Sequence, residues 1–377
     1  MQATLKKILY IALFILMLFA SALITGVVFF EDEIKNKVLE NIKESVTTSF
    51  HFSKSKLDLK NNFPSAAVKI DDLFIASTNN DTLIYGESIF IDLNLLDIIN
   101  TNVKIKNITV LNAVSNLQIG KEKNYQVIRK TKGSKSIDIQ KIIVKKSKIN
   151  FIDQKQNLNI NSTIQNCIGL IKKNSLDIIL FGNIASLRLS EKEYFKNREI
   201  KIDSELVFGK NHKVLRPSNI VLDKLSMNVN GVLSNDSTDL TIDLLSQNLK
   251  YLTANIPNYQ KKYLEDIDIR GNADVKINLH IDKKNSKTHL KSTYEVHGGK
   301  LFFHDQKTWL QNINIKGFVE SVDSLSFKKF ILTAKEASAS INKKSKINGS
   351  FIISDLNKPT LNAQLNYNLN LAEVNKN

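Results

Sequence analysis

From Phe50 onward the apolar residues of this chain recur at every second position, and that period fixes which folds are open to it. The clearest stretch lies near the C-terminus, where Leu361, Ala363, Leu365, Tyr367, Leu369 and Leu371 alternate with Asn362, Gln364, Asn366, Asn368 and Asn370. Successive side chains of an extended strand point to opposite faces, so the pattern makes one apolar face and one wet face. The same alternation runs through Ile89, Ile91, Leu93 and Leu95; through Leu158, Ile160, Ser162 and Ile164; through Leu176, Ile178 and Leu180; through Leu240, Ile242 and Leu244; and through Val275, Ile277, Leu279 and Ile281. Repeated alternation of this kind predicts a mainly β chain, a long antiparallel meander with a single apolar face.

The breaks carry turn chemistry: Asn79-Asn80-Asp81, Asn100-Thr101-Asn102, Asn235-Asp236 and His297-Gly298-Gly299 all read as turns. With 4 Pro and 13 Gly in 377 residues, Asn and Asp have to supply most of the positive-φ positions. A short internal repeat supports a meander of similar hairpins. Ile142 to Asp153 (IIVKKSKINFID) and Tyr294 to Asp305 (YEVHGGKLFFHD) align Val144 with Val296, Lys148 with Lys300, Phe151 with Phe303 and Asp153 with Asp305, and each reads as strand, tight turn, strand. No low-complexity linker divides residues 51–377, so they read as one β domain. It would hold roughly 25 to 30 strands and be on the order of 120 to 140 Å long at about 4.8 Å per strand.

Ahead of the strands, Ile8 to Phe30 is a run of 23 residues without a charge, flanked by Lys6 and Lys7 on one side and by Glu31, Asp32 and Glu33 on the other. As a helix it would reach about 35 Å, enough to cross a hydrocarbon core of about 30 Å. Its apolar side chains include Ile8, Leu9, Leu13, Phe14, Leu16, Leu18, Phe19, Val27 and Phe30. The flanking charges predict a single-pass transmembrane anchor, with residues 1–7 as a cytoplasmic tail and the bulk of the chain exported. A cleaved signal peptide is the competing reading, because Ala20-Ser21-Ala22 has the form of a cleavage site. Leu23 to Phe30 stays apolar directly past that site, which favours retention. In residues 31–50, Ile34, Val38, Ile42 and Val46 recur every four positions. That is the mark of a short amphipathic helix, lying along the membrane surface or packing on the domain that follows.

The charge balance, 53 Lys and Arg against 37 Asp and Glu for a formal +16, would ordinarily raise nucleic acid as a partner. The lysines are scattered singly or in pairs, and about 40 Asn accompany the excess of Ile and Lys, as compositional bias of an AT-rich genome produces. Nucleic acid is therefore not expected, and attraction to anionic lipid headgroups is the lesser functional reading. Cys167 is the single cysteine, so no intrachain disulfide can form. Sequons at Asn80, Asn107, Asn161, Asn235 and Asn348 are about as many as chance gives in a chain so rich in Asn. The histidines (His51, His212, His280, His289, His297, His304) lack ligand spacing, although His297 and His304 would approach each other across the second hairpin of the repeat. No nucleophile elbow or phosphate loop occurs, and Asp71, Asp72 and Asp153 read as strand-end solvation. The expectation is a non-enzymatic protein with no catalytic residue, no metal ligand and no cofactor.

Several stretches after the apolar run share one pattern with a known family. They are Phe63-Pro64-Ser65 followed by Val68, Ile70 and Leu73-Phe74-Ile75; Leu83-Ile84-Tyr85-Gly86-Glu87 with Ile89-Phe90-Ile91-Asp92-Leu93; the leucine-rich Leu95-Leu96-Asp97-Ile98-Ile99; Val103 to Ile108; and Asn124-Tyr125. In these the chain resembles the AsmA family of Gram-negative envelope proteins, over roughly residues 1 to 160; beyond them only the β pattern agrees. The resemblance implies an inner-membrane anchor carrying a periplasmic β-sheet curled into an open groove, related to TamB-like and chorein-type bridge proteins. It further implies that the groove binds phospholipid acyl chains and serves lipid transport in outer-membrane biogenesis. Phospholipid, the inner membrane and other envelope proteins would be its partners. On that reading the groove is lined by Ile89, Ile91, Leu93, Leu95, Val275, Ile277, Leu279, Leu361, Leu365 and Leu369. Alternation alone leaves a closed sandwich and a lipid-filled trough equally open. The alternative function is a periplasmic scaffold or assembly factor that takes outer-membrane proteins by strand addition at its sheet edges. The sequence stops at Asn377 just after a strand, without a cap for the sheet edge. That reads either as a truncated form of a longer protein or as a hand-over to a partner.

Overall fold

The computed structural model describes residue 17 and residues 31–58, 65–94, 105–129, 139–190, 192–255, 264, 266–321, 330–341, 345–355 and 358–370. The anchor expected over residues 8–30 lies outside the described residues except for Met17, as do Phe63, Pro64, Leu95, the Asn100 turn and Leu371. Among the described residues no helix is long and apolar enough to cross a membrane. The chain divides into two compact units, Met1–Ile171 and Lys172–Asn377. Both are built from strands, as the alternation predicts.

Among the described residues of the first unit the first element is helix α1 (Glu31–Ser45). Glu31, Asp32 and Glu33 occupy its first turn, where negative charge complements the helix dipole, and Lys35 bridges back to Glu31 and Asp32 at 3.2 and 2.8 Å. The helix hands over to β1 (Phe50–His51), β2 (Lys54–Asp58), β3 (Ser65–Ala76), β4 (Thr82–Asn94), β5 (Ile105–Ile119), β6 (Lys141–Asp153) and β7 (Leu158–Ile171). Strands β1 and β2 both pair with β3, and β3, β4 and β5 continue antiparallel. The expected all-antiparallel meander is broken once. β6 runs parallel to β5, Val110 facing Val144, and β7 then returns antiparallel to β6. A parallel neighbour requires a crossover, and its described part includes residues 120–129. Asn124, one of the family-like residues, pins it: its Oδ1 accepts from Gln118 N at 2.7 Å, its Nδ2 donates to Asn116 O at 3.0 Å, and its own carbonyl accepts from Thr78 N at 3.1 Å. Tyr125 beside it is half-buried. The crossover then meets the end of α1, where Thr47 N donates to Val127 O and Arg129 N to Ser45 O.

The apolar face of β3 and β4 is closed. Ile34 and Val38 of α1 are 4% and 1% exposed and pack with Ala66, Val68, Ile70, Leu73, Ile89, Ile91, Leu93 and Ile105 in one buried cluster. The four-residue stripe of the sequence therefore packs on the domain, the second of the two placements left open above.

The second unit contains β8 (Ser175–Leu189), β9 (Lys192–Phe208), β10 (His212–Leu222), β11 (Leu225–Ser234), β12 (Ser237–Asn248), helix α2 (Leu249–Ala254), β13 (Ile267–Asp282), β14 (Lys287–Phe303), β15 (Thr308–Ser321), β16 (Ile331–Ile341), β17 (Ser345–Ser354) and β18 (Thr360–Asn368). Each strand pairs antiparallel with the next in sequence. Among the described residues there are eighteen strands where 25 to 30 were expected for the chain, and many of them run 13 to 17 residues. Of the thirteen non-glycine residues with positive φ, eight are Asn or Asp, against only two glycines, as the shortage of glycine requires. Asn80 and Asn157 sit in turns, and Asp153 is a strand-end residue as read, its Oδ1 accepting from the backbone N of Lys155 and Gln156.

Two expectations need correction. The repeat is not a pair of hairpins: Ile142–Asp153 lies in the single strand β6, and Tyr294–Phe303 completes the single strand β14. What the two copies share is a positive φ at the same aligned position, 49° at Lys146 and 57° at Gly298, and at Gly298 it lies in a β-bulge where the register shifts between Val296 and Gly299. A bulge inserts one residue, shifts the phase of the alternation and bends the strand, and the phase shift is what imitates a turn in the sequence. Similar positive-φ residues interrupt β3 at Asp72, β5 at Asn112, β9 at Asn197, β12 at Ser246 and β15 at Asn312. Asp71 and Asp72 are accordingly mid-strand. Asp72 accepts from Ser53 Oγ at 2.8 Å and Tyr85 Oη at 2.8 Å.

Candidate functional site

The register of the second unit assembles the apolar alternation into rows that cross the sheet. One row runs Leu244, Val275, Tyr294, Gly317, Ala334, Phe351, Ala363 from β12 to β18. Beside it runs Ile242, Ile277, Ser292, Val319, Leu332, Ile353, Leu361. Directly paired residues share a face, so these side chains form one continuous apolar surface. The opposite surface carries Asp243, Lys276, Thr293, Phe318 and Thr333 in the same register.

Within the unit α2 is the one described helix, set against β12 and β13. Leu244 and Ala334 are buried, whereas Val275, Ile277 and Leu279 are half-buried. At β18 exposure rises to 67% for Leu361 and 52% for Leu365. Bulges lie beside one another on β12 to β15, and a bulge bends the strand that carries it. Ser246 N in the β12 bulge donates to Asp274 Oδ1 of β13, and Gly298 N in the β14 bulge donates to Asn314 Oδ1 of β15 at 3.0 Å. Close packing of the rows needs glycine at one point. The Tyr294 ring lies over Gly317, its hydroxyl donates to Thr333 O at 3.2 Å, and a Cβ at Gly317 would collide with both that carbonyl and the ring. Burial pushes the Tyr294 phenol upward.

The residues expected to line a groove therefore fall into three settings. Ile89, Ile91 and Leu93 are 6%, 3% and 0% exposed and belong to the closed core under α1. Val275, Ile277 and Leu279 lie on the half-exposed face of the second unit, and Leu361, Leu365 and Leu369 are exposed. Tyr294, Val319 and Phe351 also belong to that face. Reading the bulge of β14 as a turn hid the first of them, and correct phasing across the bulge is the signal that finds it.

Cys167 is half-buried and its thiol is pushed upward by burial, the opposite of an activated nucleophile. His297 and His304 do not face each other across a hairpin; they pair with Asp274 at 3.3 Å and Asp268 at 3.6 Å respectively. Comparison of the chain with known protein families, curated proteins and solved structures finds no match.

Proposed function

We propose that this chain is a membrane-anchored, non-enzymatic lipid carrier of the AsmA type, which holds phospholipid acyl chains against the apolar face of its second unit. The observation that carries the reading is the pair of apolar rows from β12 to β18, half-exposed at Val275 and Ile277 and open at Leu361. A surface of that extent is normally covered in a water-soluble protein. Acyl chains suit it because each buried CH₂ contributes about 0.8 kcal/mol without directional demands, so cargo can shift along the rows without a deep trap. The bulges would curl the sheet into an open groove around them. Residues 8–30 anchor the carrier in a bacterial inner membrane, with the first seven residues cytoplasmic and the rest periplasmic.

The full chain, purified in mild detergent and extracted for mass spectrometry, is expected to carry co-purified phospholipid. Ile277→Asp should remove most of it while leaving the far-ultraviolet circular dichroism intact. A lipid-free wild-type chain would overturn the proposal, and capture of unfolded outer-membrane proteins in place of lipid would favour the scaffold reading.

A further inference from the structure

On the other face of the second unit, one row of the sheet brings three ligating side chains into register. Asp239 on β12 stands opposite His280 on β13, and His280 stands opposite His289 on β14. An Asp239 carboxylate oxygen lies 2.6 Å from His280 Nδ1. A carboxylate only accepts, so in the neutral ring Nδ1 carries the proton and Nε2 presents the lone pair. The His289 ring is its neighbour, with centroids 6.1 Å apart and planes at 44°. All three residues line a recess of 570 Å³ together with Asn278, Lys291 and Glu320.

Two imidazoles sharing one tetrahedral ion at about 2.1 Å have ring centres about 5 Å apart. The observed separation closes to that by rotation of two side chains, and His280 is 46% exposed and has room to turn. Among the described residues no three His, Cys, Asp or Glu are gathered as a metal cage. The protein can therefore offer two nitrogens here, with water completing the coordination.

We propose that His280 and His289 form a two-nitrogen site for a divalent transition-metal ion that ties β13 to β14, with Asp239 as the positioning residue that fixes the His280 tautomer. Imidazole pairs suit Zn²⁺, Ni²⁺ and Cu²⁺, and Cu²⁺ binds tightest in that series. Asp239 and Glu320 offset the positive charge of Lys291 at the recess.

Titration of the full chain in detergent with Cu²⁺, followed by calorimetry and electron paramagnetic resonance, should give one saturable site whose spectrum reports two nitrogen ligands. His280→Asn and His289→Asn should each weaken it at least tenfold, and Asp239→Asn by about 10- to 100-fold, the usual cost of losing an outer partner. His297→Asn, outside the recess, should leave it unchanged. Absence of a saturable site, or a site indifferent to His280→Asn and His289→Asn, would overturn the proposal; indifference to Asp239→Asn alone would overturn the positioning role.

Discussion

The two units use the same sequence pattern to opposite ends. In the first, Val68, Ile70 and Leu93 reach 0% exposure because α1 lays Ile34 and Val38 on the sheet. In the second, Val275, Ile277 and Leu279 have the same alternation and the same strand geometry, yet they stay half-exposed. Alternation thus tells which face of a sheet is apolar, and something elsewhere in the chain decides whether that face becomes a core or a surface. The first unit spends a helix on closure. Among the described residues the second lays no such helix on Ile277.

The largest expected effect tests that contrast with one type of change in both places. Ile70→Asp puts a charge into a closed core, where it costs several kcal/mol, and thermal melting should show the first unit unfolded. Ile277→Asp, on the half-exposed face, should leave a cooperative melt. Equal damage at both sites would erase the distinction between the units.

A smaller effect is expected at Gly317. Valine there meets the Thr333 carbonyl and the Tyr294 ring, so urea unfolding should show a loss of about 1 to 3 kcal/mol, the ordinary range for overpacking. Leu365→Ala, at 52% exposure, should change stability by less than about 0.5 kcal/mol.

The smallest effect concerns pH. The Lys69 ammonium, helped by the Ser88 hydroxyl, holds the Asp71 carboxyl below its ordinary value of 3.8 against the opposing effect of burial. The Ser53 and Tyr85 hydroxyls hold Asp72 below the same value. A carboxyl whose value is lowered by folding stabilises the fold above 3.8, and that contribution disappears as pH falls through the lowered values. Acid titration of wild type and Asp71→Asn should therefore diverge above about pH 4 and converge in stronger acid. Parallel curves throughout would contradict this account of β3.

Much of the fold was legible in the sequence. Period two marked β4, β7, β8, β12, β13 and β18, and the four-residue stripe Ile34, Val38, Ile42 marked α1. Scarcity of glycine placed Asn and Asp at left-handed positions. The bulges were not legible as bulges, because an inserted residue such as Gly298 breaks the phase just as a turn does. The parallel pairing of β5 with β6 was hidden for another reason: it depends on a crossover held by Asn124, whose partners Asn116, Gln118 and Thr78 make no local periodicity. The candidate site was legible only in part. Local pattern cannot separate Ile91 from Ile277, since what divides them is a helix some fifty residues upstream of Ile91, and among the described residues no helix shares a buried apolar cluster with Ile277.

The central claim, that the apolar face of the second unit is open to lipid, is tested most directly by photo-cross-linking in cells. A benzophenone side chain placed at Ile277 reports on the apolar face, and one at the adjacent Asn278 reports on the polar face. The account predicts phospholipid adducts at 277 and none at 278. Adducts at neither position, or equally at both, would contradict it.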